Sequence, residues 1–83
     1  MAIKVKVLYF GQAREAAGAA DEEIELPRGS SVRMLVDKAL EAHEGLRRVT
    51  RFMRVAVNQE IAGKDKRLYD GDTVAFLPPV AGG

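Results

Sequence analysis

Residues 3–10 read IKVKVLYF, and the alternation within them decides the fold. Ile3, Val5, Val7 and Tyr9 fall on one side, and Lys4, Lys6, Leu8 and Phe10 on the other. Period two with β-branched residues predicts a strand whose odd positions face a core. The even side begins charged and ends apolar. A cover for the odd face must come from elsewhere in the chain.

That cover is legible at residues 31–45. Ser31 stands at a cap position, and Val32, Leu35, Val36, Ala39 and Leu40 recur with the spacing of an amphipathic helix. Gly45 is placed to stop it. Met34 occupies the position where a capping box would have Glu or Gln. Upstream, residues 12–17 favour a short helical turn closed by Gly18. DEEIELP at 21–27 reads as a second strand using Ile24 and Leu26, and FMRVAVN at 52–58 as a third. GKDKRLYDGD at 63–72 reads as a polar loop with Asp70-Gly71 as its turn. TVAFL at 73–77 is the last strand, and Pro78-Pro79 ends its ladder because neither residue has an N–H. One amphipathic helix over one face of such a sheet gives a two-layer α+β domain. The expected division is a folded domain at 1–77 and an extended tail at 78–83.

The totals narrow the function. Eighty-three residues make one domain, and an apolar fraction of 47% suits a folded globule. Thirteen basic residues against twelve acidic ones leave a charge of +1, which offers no strong drive toward nucleic acid or anionic membrane. The cluster Arg47, Arg48 and Arg51 is the exception, expected in a solvated loop. No apolar run is long enough to span a bilayer, and the lysines of MAIKVKV do not fit a secretory leader. A cytoplasmic location is therefore expected. With no cysteine the chain has no thiolate nucleophile and no cysteine metal site.

Catalytic constellations are missing. The lone His43 has no second His or Cys for a zinc site and is expected on the surface. Gly63-Lys64-Asp65 lacks the upstream glycine and following hydroxyl of a phosphate loop. Glu22-Glu23 reads as a solvated strand edge, Asp70 and Asp72 as turn residues, and Ser30-Ser31 as a helix cap. On this reading the chain is not a self-sufficient enzyme and binds no metal or cofactor.

Two features remain. With the helix on the odd face of the first strand, Leu8 and Phe10 lie on the open face with Leu77, Ala56 joins from the third strand, and Ile61 sits beside them. An apolar cluster on a bare sheet face predicts a docking surface. The six residues after Leu77 reach roughly 20 Å when extended. Pro78 and Pro79 hold the base of that arm extended, Val80 and Ala81 are small, and Gly82 and Gly83 have no side chain. Such an arm can thread a narrow channel and deliver its terminal carboxylate to a buried site. An ATP-dependent partner can make that carboxylate an acyl-adenylate, and sulfur can displace AMP to leave a thiocarboxylate.

VLYFGQARE, VAVNQE and LYDGDTVAFLPPVAGG, in that order and spacing, resemble the small subunits of molybdopterin synthase over nearly the whole chain. The resemblance implies a ubiquitin-like β-grasp fold, a mixed sheet packed on one main helix. It also implies a thiocarboxylate at Gly83 that supplies the dithiolene sulfurs of molybdopterin. Its implied partners are a larger catalytic subunit in a heterotetramer, an adenylating E1-like enzyme that uses ATP, and a sulfur-donating enzyme. Phe10, Ile61 and Leu77 match the family's apolar contact positions, and Arg14 a polar one. Ala81 departs from the threonine common in this family. The ending VAGG is also similar to thiamin-pathway sulfur carriers, which are typically shorter and lack Pro-Pro. A carrier for tRNA thiolation, a ubiquitin-like protein modifier and a simple β-grasp binding module stay open as alternatives.

Overall fold

The computed structural model describes residues 1–78. Its elements are β1 (Ala2–Tyr9), α1 (Gly11–Ala17), β2 (Asp21–Pro27), α2 (Val32–Ala42), a 3-10 turn (Glu44–Leu46), α3 (Arg47–Thr50), β3 (Arg54–Val57), β4 (Glu60–Ala62) and β5 (Thr73–Leu77). The strands form one sheet in the order β2-β1-β5-β3-β4. β1 runs parallel to β5, and the other pairs are antiparallel. The sheet is therefore mixed, with the first and last strands side by side at its centre. This is the expected ubiquitin-like β-grasp arrangement. Among the described residues no helix is long and apolar enough to cross a membrane.

Alternation in β1 does what its pattern predicts: Ile3, Val5, Val7 and Tyr9 are buried, and Lys4 and Lys6 are exposed. Register extends the buried face across the sheet, with Val7 beside Val74 and Val74 beside Val57, then Tyr9 beside Phe76. The Tyr9 and Phe76 rings stack with centroids 5.5 Å apart. α2 closes this face with Val32, Leu35 and Ala39, all buried in the same core. Val32 and Leu35 each contribute about 1.5–3 kcal/mol by full burial, and the Ala39 methyl less.

Several expectations need correction. The sheet has five strands, because residues 60–62, which lie between the third strand and the loop at 63–72 and carry no pattern of their own, pair with β3 as an edge strand. Three residues around one exposed isoleucine are too short to show alternation. β3 begins only at Arg54, while Phe52 sits in the turn after α3 and is exposed. Gly45 does not stop the long helix. α2 ends at Ala42, and Gly45 lies in the 3-10 turn, where an added Cβ would stand 3.2 Å from the Ala16 carbonyl oxygen. That glycine lets the turn pack against α1. Arg47 and Arg48 lie in α3 rather than a loop, and Arg51 follows it directly. Neither serine caps α2 through its side chain: Ser31 makes no such bond, and the Ser30 hydroxyl donates to the Pro27 carbonyl at 2.6 Å.

Candidate functional site

Among the described residues, no helix lies over the outer face of the sheet. Register builds one continuous row there: Leu8 pairs with Ala75, Ala75 with Ala56, and Ala56 with Ile61. These four residues, with Phe10, Asn58, Gln59, Thr73 and Leu77, line a groove of about 510 Å³. Phe10 is 44% exposed and Ile61 59%. Phe10, Ile61 and Leu77 are thus brought to one surface, as their positions in the sequence predict.

Parallel pairing explains why the groove ends where the tail begins. Tyr9 sits beside Phe76, so the last residues of β1 and β5 leave the sheet at the same end. An added Cβ on Gly11 would stand 3.5 Å from the Pro78 ring, and Gly11 has a φ of +54°, a region that suits glycine. The β1–α1 junction and the base of the tail therefore pack together beside Phe10. Pro79, Val80, Ala81, Gly82 and Gly83 lie outside the described residues. Arg14 is exposed on α1, one turn past Phe10, whose carbonyl accepts its N–H at 3.4 Å. It lines a different hollow with Gly11, Glu15 and Gly18, so the structure does not place it in the apolar groove.

Polar residues of the recognised motifs prove to be clamps. Asn58 and Gln59 both have positive φ, 50° and 72°, and make the tight turn from β3 to β4. The Asn58 amide donates to Asp72 at 3.0 Å, and its oxygen accepts the Thr73 N–H at 2.9 Å. The other Asp72 oxygen accepts the Tyr69 N–H at 2.8 Å. Asp70 accepts the Lys4 N–H at 2.8 Å, tying the same loop to β1. These bonds fix the hairpin that carries Ile61 relative to the start of β5. Asp70 and Asp72 thus do more than form the expected turn, and Asn58, for which no role is expected from the sequence, holds Asp72. Asn followed by a polar residue between two apolar runs was the available signal.

His43 and Glu22 also need correction, since neither is simply solvated. Glu22 is half-buried on the inner face, where it accepts the Tyr9 hydroxyl and meets His43 Nε2 at 2.6 Å. The His43 ring stands edge-on to Tyr9 at 5.8 Å. Burial first, then the hydrogen bond and charge of Glu22, hold the Tyr9 phenol well above its ordinary pKa. This cluster lies on the helix side of the sheet, away from the groove, and joins β1, β2 and the end of α2. Among the described residues no three His, Asp or Glu side chains gather as metal ligands.

Comparison with known proteins places this geometry. Residues 7–83 match the model of the ThiS family. A Mycobacterium tuberculosis protein named molybdopterin synthase sulfur carrier subunit is 48% identical over 82 residues, covering 98% of this chain and 99% of that one. A Pyrococcus furiosus protein provisionally named molybdopterin converting factor, subunit 1, superposes with a TM-score of 0.87 at 38% identity, covering 94% of this chain and 99% of that one. A Helicobacter pylori complex of subunits 1 and 2 of molybdopterin-converting factor contains a chain similar at a TM-score of 0.69 and 28% identity, covering 98% of this chain and 100% of that one. The chain belongs to the ThiS family, together with the molybdopterin synthase sulfur carrier subunits it resembles.

Proposed function

We propose that this protein is the sulfur carrier and small subunit of a molybdopterin synthase, working in the cytoplasm. The open face docks a larger catalytic subunit, and the residues from Pro78 to Gly83 carry the chemistry into it. The observation that carries this reading is the apolar row Leu8, Ala75, Ala56 and Ile61, which ends beside Phe10 and Leu77 where β5 hands over to the tail. The similar chain in the H. pylori complex has the same fold and is seen with a second subunit, which supports a protein partner of that kind. Arg14 adds a polar contact at the rim.

In the proposed cycle, the Gly83 carboxylate attacks the α-phosphate of ATP on an adenylating enzyme, and pyrophosphate leaves. A sulfide equivalent from a sulfur-donating enzyme then attacks the acyl carbon, and AMP leaves. The resulting thiocarboxylate sulfur attacks a carbon of the pterin precursor in the large subunit and displaces its oxygen substituent. Water then cleaves the acyl C–S bond, leaving the sulfur on the pterin and regenerating the Gly83 carboxylate. The carrier's own part is to present the end, with no side chain at Gly82 or Gly83 to obstruct a channel. It supplies no catalytic side chain and holds no cofactor, and ATP is consumed on the activating partner.

Intact mass of the chain purified from its own cells tests this. One oxygen replaced by sulfur is expected. Adducts branched through lysine would instead identify a protein modifier, and an unaltered carboxylate in cells making the cofactor would leave only a binding module. A thiamin or tRNA-thiolation carrier would show the same mass but would not support molybdopterin formation with the large subunit.

A further inference from the structure

The helical layer carries a second surface, independent of the sulfur-carrier reading. Arg33, Val36, Asp37 and Leu40 follow one another along one side of α2, and Arg47 and Thr50 of α3 with Arg51 just after it face them. With Lys64 they line a groove of about 450 Å³. The whole chain is nearly neutral, with thirteen basic residues and twelve acidic, yet four cations face a single carboxylate here. Among the described residues, the one ion pair these cations make is Arg33 with Asp65 at 3.9 Å, between side chains 59% and 98% exposed. Such a pair contributes little. The floor is apolar: Val36 and Leu40 pack on the core and are half-buried between the cations. Folding gains nothing from like charges gathered around half-covered aliphatic side chains.

We propose that this groove docks an acidic segment of a partner protein whose carboxylates alternate with apolar side chains. The carboxylates would meet Arg33, Arg47, Arg51 and Lys64, and the apolar side chains would cover Val36 and Leu40. The groove's size suits a few side chains of a linear segment rather than a domain face. Nucleic acid fits less well, because no aromatic ring lines the groove for base stacking and Asp37 opposes a phosphate backbone. A small anion fits less well too, since every cation here is exposed and none is held by a buried partner. α2 covers the inner face of the sheet, so this groove and the apolar row on the outer face can be occupied together.

Fluorescence anisotropy on the full chain tests the proposal, with a short labelled peptide of alternating glutamate and leucine as the probe. A glutamate-only peptide and a single-stranded oligonucleotide serve as competitors. The mixed peptide is expected to bind, and to bind less well as salt shortens the screening length below about 10 Å. Arg47→Glu with Arg51→Glu should weaken it about tenfold or more, as should Lys64→Glu with Arg33→Glu, while circular dichroism stays unchanged. Phe10→Asp on the opposite face should leave peptide binding intact, whatever it does to the large subunit. The proposal is overturned by absence of binding, or by binding that both charge-reversed variants retain. It is equally overturned if the glutamate-only peptide or the oligonucleotide binds as tightly as the mixed peptide.

Discussion

Val7, Val74 and Val57 form one row across the inner face of the sheet, and none is more than 4% exposed. Leu8, Ala75, Ala56 and Ile61 form the adjacent row on the outer face, where Ile61 is 59% exposed. The side chains are of one kind, and what differs is the neighbour. The inner row is closed by Val32, Leu35 and Ala39 of α2, whereas among the described residues no element closes the outer row. Apolar groups on the inner face are therefore committed to stability. On the outer face Phe10 and Ile61 stay open to a partner, while Ala56 in the middle of the row is only 5% exposed, and substitutions should separate the two uses.

The largest effect is expected inside. Phe76→Ala removes a ring stacked on Tyr9 and leaves a cavity, which should cost about 3–5 kcal/mol in urea unfolding. A cost under about 1 kcal/mol would mean that the inner face is not the core. Outside, Phe10→Asp should cost about 2 kcal/mol or more in binding to the large subunit, measured by titration. Its urea midpoint should stay close to that of the parent. Loss of folding instead of binding would erase the distinction between the faces.

A smaller effect is expected where the inner face carries polar groups. His43→Ala removes the bond to Glu22 and should cost about 1 kcal/mol of stability while leaving sulfur transfer unchanged. A large loss of product with the fold intact would assign His43 a chemical role. Tyr9 offers a pH test with a definite sign. Its folded pKa lies above the unfolded value of about 10, so its contribution is complete below about pH 10 and is lost as pH rises toward the folded value. In a Tyr69→Phe background, tyrosinate absorbance should be nearly absent at about pH 11, where a free phenol would be mostly ionised. Ordinary ionisation there would contradict the burial of the Tyr9 hydroxyl beside Glu22.

The long regular elements were readable in the sequence because their periodicity is strong. The odd positions of residues 3–9 and the spacing from Val32 to Leu40 gave the sheet and its cover, and the same alternation placed Phe10, Leu77 and Ala56 outside. What the sequence hid depends on long-range partners. β4 exists because Ala56 pairs with Ile61, and no local pattern announces three residues. Glu22 looks like a strand-edge carboxylate until Tyr9 and His43, far away in the chain, are brought to it. Gly45 resembles a helix stop, but Ala16 explains it. The parallel pairing of β1 with β5, which places Phe10 beside the base of the tail, is likewise not written in either strand.

One added alanine after Gly83 tests the division of labour most directly. The extension lies beyond the strand that ends at Leu77, so fold and docking through Phe10, Ile61 and Leu77 should persist. The reactive carboxylate would be displaced by about 3.5 Å, and a misplacement of about 1 Å can already cost on the order of a hundredfold in rate. The measurement is ATP–pyrophosphate exchange with the adenylating enzyme, alongside product formation and binding with the large subunit. Binding within about twofold of the parent, with both activities lost, is the expected result. Near-normal activity in both assays would contradict it and show that the Gly-Gly end does not carry the chemistry.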